Sequence, residues 1–503
     1  MKITQPRNVS KALCIPAAAF CMLPLLGSGC TVGPDYHPPQ TQMPAKWIAP
    51  TTMPAATQPS VVAPLPADVA QWWKSFRDPQ LDALVAQAVT CNLDVRMATA
   101  RLRAARAQRG ISGAALLPEI DANGNYSREG FGKGNVRAFP GPHGTTITKN
   151  TAFRANQYQA GFDSSWELDI FGGTRRDIES ADQNIAAAVE DRRDVLVTLI
   201  SEVAVDYISL RGTQEEIKIA HENLDSEQHT AEVTRKKFGA GFLAKLDVSN
   251  ADAQVYSTQS DIPALEIMER QQIYALSLLL GREPAALLAD LSPPGTIPFT
   301  PPVVPIGLPA ELLRRRPDIR RAEAQLHSAT AQIGVATADL YPKISLLGSL
   351  QLSSGQLKGL SNWANNAWNI GPAVSWPLFS GGRIQANIEL QNAQTENALL
   401  VYKQTVLTAL QEVESALIAY SKEQQRRDAL EKAVAANTAA RNVANQLYQT
   451  GQTDFLNVLN AERSLYGAQL ALTQSDTNIA TDLAALYKAL GGGWEAGPAD
   501  AAR

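Results

Sequence analysis

Residues 189–238 read VEDRRDVLVTLISEVAVDYISLRGTQEEIKIAHENLDSEQHTAEVTRKKF, and within them Val189, Leu196, Val203, Leu210, Ile217, Leu224, Ala231 and Phe238 recur every seventh position. A strict heptad of apolar residues without proline is the seam of a long coiled-coil helix. Extended over residues 174–238, the helix holds roughly 65 residues, about 100 Å at 1.5 Å per residue. A second helix of the same length is expected over 383–448. Each ends at a glycine turn, Gly239-Ala240-Gly241 or Gln449-Thr450-Gly451, where the chain reverses. Helices of about 35 residues return from these turns (246–280 and 456–490) by the same pattern reading. Shorter ones, about 24 residues long, precede the strands (93–116 and 318–340).

The second half of the chain repeats the first. Leu93-Asp94-Val95-Arg96 is answered by Pro317-Asp318-Ile319-Arg320, Leu117-Pro118-Glu119-Ile120 by Tyr341-Pro342-Lys343-Ile344, and Phe171-Gly172-Gly173-Thr174-Arg175 by Phe379-Ser380-Gly381-Gly382-Arg383. Gly241, Leu246, Val248, Asn250 and Ala251 recur as Gly451, Leu456, Val458, Asn460 and Ala461. The spacing slips between Ile120 and Phe171, where the first copy carries about sixteen extra residues, so a tolerant loop is expected there.

Between the short and long helices of each copy lie two strands. In 157–170, Tyr158, Ala160, Phe162, Trp166, Leu168 and Ile170 alternate with Gln157, Gln159, Asp163, Ser165, Glu167 and Asp169. That is a strand with one apolar and one polar face. Its counterpart sets Trp368, Ile370, Val374, Trp376 and Leu378 against Asn369, Gly371, Ala373 and Ser375. The partner strands are 120–127, with Asp121, Asn123 and Asn125 on the polar side, and 344–353. Strands of about ten residues, polar on one face and aromatic-bearing on the other, fit a transmembrane barrel.

Four strands cannot close a barrel, and open edges are forbidden in lipid. Two chains give eight strands whose side chains fill the interior, whereas three give twelve and leave room for water. The polar faces need that water, so a C3 homotrimer is expected. The fold class is therefore an α+β membrane duct: a duplicated chain giving four strands to a trimeric twelve-stranded transmembrane β-barrel, plus long coiled-coil helices.

The first thirty residues read as an export signal, with Lys2, Arg7 and Lys11 before the apolar run 12–26. Leu26-Gly27-Ser28-Gly29-Cys30 then resembles a bacterial lipobox, although Gly27 stands where a large aliphatic residue is usual. Cys30 is the expected lipidation site, its acyl chains forming a stable anchor in outer-membrane lipid. Thr31 follows, and bacterial lipoproteins without aspartate there are generally sorted to the outer membrane. The expected organisation is 1–29 signal peptide, 30–70 anchor and extended Pro-rich arm, 71–283 first repeat, 284–312 Pro-rich linker, 313–491 second repeat and 492–503 mobile tail.

Other chemistries find no footing. With 45 basic and 49 acidic residues the net charge is −4, which gives no basic field for nucleic acid. Beyond the N-terminus no run of about 20 apolar residues offers a helical span. Once Cys14 and Cys21 leave with the signal and Cys30 is blocked, Cys91 has no disulfide partner. His221-Glu222 lacks the second histidine of a zinc-protease helix, and Gly132 and Gly134 lack the third glycine of a phosphate cradle. No enzyme, metal site or cofactor is expected.

Several motifs resemble the TolC-like outer-membrane efflux family, most closely its lipoprotein (NodT) branch. They are Cys30-Thr31-Val32-Gly33-Pro34-Asp35-Tyr36, Trp72-Trp73 with Asp78-Pro79-Gln80-Leu81, Arg315-Arg316-Pro317-Asp318-Ile319, Pro377-Leu378-Phe379-Ser380-Gly381-Gly382, and Gly451 with Leu456-Asn457-Val458-Leu459-Asn460-Ala461-Glu462-Arg463. The resemblance covers nearly the whole mature chain. It implies a trimeric duct whose helices form a periplasmic α-barrel, docked to a periplasmic adaptor and an inner-membrane pump, often proton-driven (RND type), to expel drugs or other small molecules. It also implies an iris at the periplasmic tips. Tyr448 and Asp247 then stand as latch candidates, and Asn457 and Asn460 occupy positions often filled by aspartate. Arg463 stands ready to pair with a neighbouring carboxylate, and the tips at Gly241 and Gly451 are the expected adaptor contacts. Asp247 and Asn457 also stand where they would simply cap the returning helices. Trp72 and Trp73 read as packing rather than a binding platform. A duct for a protein-exporting pump and a trimeric surface scaffold remain as alternative readings.

Overall fold

The computed structural model describes residues 31–41, 43–48, 60–61, 67–131, 136–140, 146–150, 153–301, 304–305 and 309–496. The expected signal peptide, Cys30, much of the Pro-rich arm, Gly132, Gly134 and the end of the tail lie outside the described residues. The elements, in order, are α1 (Pro79–Cys91), α2 (Leu93–Ala114), β1 (Glu119–Phe131), β2 (Val136–Pro140), β3 (Thr146–Asn150) and β4 (Phe153–Leu168). There follow α3 (Gly173–Gly239), α4 (Lys245–Leu279), α5 (Pro317–Ala338), β5 (Lys343–Ser354), β6 (Asn366–Ser375), α6 (Arg383–Gln449) and α7 (Phe455–Ala489). The duplication is metrical: α2 and α5 have 22 residues each, α3 and α6 have 67, and α4 and α7 have 35. At 1.5 Å per residue each 67-residue helix is about 100 Å long.

The chain divides into two compact units, one of the arm to His37 with 107–183 and 327–396, the other of 38–106, 184–326 and 397–503. The first holds a four-stranded antiparallel sheet in the order β1-β4-β5-β6. Its register sorts side chains by chemistry. Asp121, Asp163, Ser349 and Asn369 form one cross-strand row, while the next carries Ala122, Phe162, Leu350 and Trp368 on the opposite face. Ile120, Phe162, Trp368, Ile370 and Val374 are all more than half exposed, an apolar face that the described residues leave uncovered. Among the described residues, β1 pairs only with β4 and β6 only with β5, so the sheet ends there in two open edges. The extra residues of the first copy form the short β2–β3 hairpin rather than a plain loop, with Val136 opposite Asn150. The second copy has two short 3-10 turns there instead. Trp376 and Leu378, expected within the last strand, lie just beyond its end.

The second unit holds α3 from 184 and α6 from 397 through to their ends. Leu196, Val203, Leu210 and Ala231 of the heptad seam are at most 1% exposed. Phe238 breaks the pattern at 42%, one residue before α3 ends and its last turn loses cover. Trp72 and Trp73 are buried, and Trp72 stacks on Tyr487 of α7 with centroids 5.3 Å apart, so they pack as expected. Asp78 caps α1 through the backbone N–H groups of Gln80 and Leu81 and accepts the Tyr207 hydroxyl at 2.8 Å. The Pro-rich stretch after α4 is more structured than its composition indicates. It contains short helical turns that bury Leu287, Leu291 and Leu312. Gly491, Gly492 and Gly493, expected to open a mobile tail, are buried, and Arg193 lies 4.4 Å from the Trp494 ring centre. Among the described residues no helix is long and apolar enough to cross a membrane, and no cluster of side chains offers a metal site.

Candidate gate at the helical turns

Both long helices end in the same backbone motif. Phe242 N–H donates to Lys237 C=O and Gly241 N–H to Phe238 C=O, while Gln452 donates to Leu447 and Gly451 to Tyr448. This six-to-one and five-to-two pairing needs a left-handed residue at the fifth position. Gly241 (φ +84°) and Gly451 (φ +76°) supply it, both in open space. The returning helices start four residues later, α4 after Ala244 and α7 after Asp454.

The turns close over a small core containing Ala231, Ala251, Val255, Tyr448, Phe455, Val458 and Leu459. Tyr448 is 3% exposed, with its ring 5.8 Å from that of Phe455 and its hydroxyl 3.1 Å from Thr234 Oγ1. Lys237 Nζ sits 4.0 Å from the Tyr448 ring centre and donates to the Tyr448 carbonyl. Burial raises the Tyr448 phenol, opposed by the Thr234 bond and aided by Asp247. Tyr448 is therefore an internal strut of the tip, held on ring, hydroxyl and carbonyl.

Asp247 lines the same groove as Tyr448, about 860 Å³ in volume, together with Lys236, Lys237 and Asp454. Its carboxylate accepts the Ala244 N–H at 3.2 Å, so the capping alternative is realised for this residue. Asn457 is exposed and donates to Thr453 Oγ1 at 2.8 Å, a bond across the first turn of α7. Asn460 is exposed on the same helix. Arg463 differs from expectation: its guanidinium donates to the Gln254 amide oxygen rather than to a carboxylate. Gln254 in turn donates to Glu227 at 2.9 Å, so the carboxylate is reached through an amide relay.

That relay opens on two buried carboxylates, Glu227 and Glu462. Glu227 and Glu462 are 4% and 5% exposed. Glu462 accepts the Thr230 hydroxyl at 3.0 Å, and burial pushes its carboxyl up to about 7, with the Glu227 charge adding to the rise. Burial raises Glu227 as well, against bonds from Thr258 and Gln254. The signal was present: Glu227 lies three residues after Leu224 and four before Ala231, a core position of the heptad, where a carboxylate is out of place.

The family model described as "Outer membrane efflux protein" matches residues 84–282 and 308–492. The chain belongs to the outer membrane efflux protein family. Nodulation protein T of Rhizobium leguminosarum bv. trifolii is 32% identical over 471 residues, covering 93% of this chain and 96% of that protein. The pyoverdine export outer membrane protein OpmQ of Pseudomonas aeruginosa is 34% identical over 429 residues, 85% of this chain and 88% of OpmQ. The solved outer-membrane channel OprN superposes with a TM-score of 0.82 at 38% identity, covering 93% of this chain and all of that one. The fold is that of the TolC-like outer-membrane channels, and this efflux family member resides in the outer membrane. Its relatives are channel proteins rather than enzymes.

Proposed function

We propose that this protein is the passive outer-membrane duct of a tripartite efflux pump for drugs or other small molecules, anchored by acyl chains on Cys30. Three copies join the open edge of β1 in one chain to that of β6 in the next, closing a twelve-stranded barrel. The cross-strand row Asp121–Asp163–Ser349–Asn369, backed by a bare apolar face, carries this reading: it suits a wall with water on one side and hydrocarbon on the other. Export of pyoverdine by OpmQ supports a small-molecule cargo. The repeats on either side of 284–312 each supply one strand pair and one long helical hairpin.

In this reading the tips at Gly241 and Gly451 meet a periplasmic adaptor, with an inner-membrane RND-type pump behind it. Asp247, Asn457 and Asn460 line the iris, which Tyr448 supports from within, while Arg463 ties α7 to α4. Native mass spectrometry in detergent together with planar-bilayer recording tests the proposal. Three chains per particle and a steady ion conductance are expected. A monomer, a stable dimer, or a trimer without conductance sinks it, the last in favour of a scaffold.

A further inference from the structure

Thr31–His37 has no regular element of its own, yet it is held along its length. Val32 N–H donates to the Phe171 carbonyl at 3.1 Å, where β4 gives way to α3. Arg176, whose side chain is 5% exposed, reaches out to Asp35 at 2.6 Å and to the Val32 carbonyl at 3.2 Å. The Tyr36 ring stacks on His327 of α5, centroids 4.2 Å apart and planes 12° from parallel. His327 Nε2 lies 2.9 Å from Glu179, which also accepts from Arg176 at 2.8 Å.

Three glycines make the contact close. A Cβ on Gly33 would stand 2.4 Å from Gly334 Cα, one on Gly334 2.9 Å from the Val32 carbonyl oxygen, and one on Gly172 2.8 Å from Thr31 Cα. Gly33 is also left-handed, at φ +89°. A buried guanidinium is costly unless paired, and Asp35 and the Val32 carbonyl satisfy the part of Arg176 that Glu179 does not.

We propose that Thr31–His37 is a rigid strut rather than a tether. Clamped by Arg176 and by the glycine contacts, it fixes Thr31 and Val32 beside the junction of β4 and α3. An acyl anchor on the residue before Thr31 would then be held at a set height, with no slack between lipid and protein. The height claim rests on the reading of Cys30 as lipidated; the clamp does not.

Chymotrypsin cleavage at Tyr36 in the purified full-length protein tests the clamp, with mass spectrometry of the released N-terminal peptide reporting the state of Cys30. The Gly33→Ala variant alters only the arm, and Arg176→Ala removes the clamp from the body. Both should be cut at Tyr36 at least ten times faster than the parent protein, with oligomeric state unchanged on native gels. A parent protein cut as fast as the variants overturns the strut, as do variants as protected as the parent. Protection at Tyr36 with an unmodified Cys30 keeps the clamp and refutes the lipid reading alone.

Discussion

Glu462 on α7 accepts a hydrogen bond from Thr230 on α3 across 3.0 Å, and neither residue is more than 9% exposed. A carboxyl raised by burial to about 7 binds its proton in the folded tip at pH values where the unfolded chain has already lost it. Folding is then favoured at low pH, and stability is lost as pH climbs from the unfolded value near 4.5 through about 7. Each pH unit across that interval is worth about 1.4 kcal/mol, so the loss is on the order of 1–3 kcal/mol. Glu462→Gln keeps an acceptor for Thr230 and removes the titration. Hydrogen exchange of the tip helices at pH 5 and pH 8 should show the substitution protective at pH 8 and nearly neutral at pH 5. Equal effects at both values would falsify the linkage.

Tyr448 separates hydroxyl from ring. Tyr448→Phe deletes the bond to Thr234, whose hydroxyl still donates to the Thr230 carbonyl at 2.8 Å, so a cost of about 1 kcal/mol is expected. Tyr448→Ala empties a packed site and should cost about 3–5 kcal/mol. If the tip core holds the iris shut, a large hydrophilic dye will enter cells through the alanine variant and hardly at all through the phenylalanine one. Similar uptake through both would separate the tip core from gating.

Asn457 and Asn460 leave the proposed iris without the acidic ring that aspartate would give. Carboxylates about 6 Å apart repel by roughly 0.7–3 kcal/mol per pair for effective dielectrics of 80 to 20. Asn457→Asp combined with Asn460→Asp should raise cation selectivity and strengthen block by divalent cations added from the periplasmic side. Unchanged selectivity and block would mean that these side chains serve α7 alone, as the Asn457 bond to Thr453 already does.

A glycine where α3 packs tightly on α7 offers a test of packing. A Cβ on Gly212 would lie 2.3 Å from Thr477 Oγ1 and 2.9 Å from its Cγ2. Gly212→Ala should cost about 1–3 kcal/mol by overpacking. Adding Thr477→Ala removes both obstructing atoms and should recover much of the loss. Thermal unfolding of the two variants decides this, and additive losses would rule out the contact as the cause.

The long helices and strand faces were legible because each repeats one rule over many residues. Leu196 through Ala231 and the alternation from Tyr158 to Leu168 leave little choice of period. What escaped the reading depends on partners far along the chain. Glu462 looks like an ordinary solvent-facing charge until α3, α4 and α7 are packed together, and the core heptad position of Glu227 does not say which side chains meet it. Arg463 was expected to meet a carboxylate, whereas the amide of Gln254 lies between. Gly491, Gly492 and Gly493 read as a loose tail because glycine composition says nothing about the Trp72 ring that waits beside Gly493, 3.2 Å from where a Cβ would stand.

The unpaired edges of β1 and β6 also impose an order of events on biogenesis. A lone sheet entering hydrocarbon would carry two rows of bare N–H and C=O groups, each costing several kcal/mol. In the proposed trimer, subunits that meet in water or at the interface before entering lipid avoid that cost. The bilayer then acts as a stoichiometry filter, admitting a completed ring and turning back any assembly short of one chain.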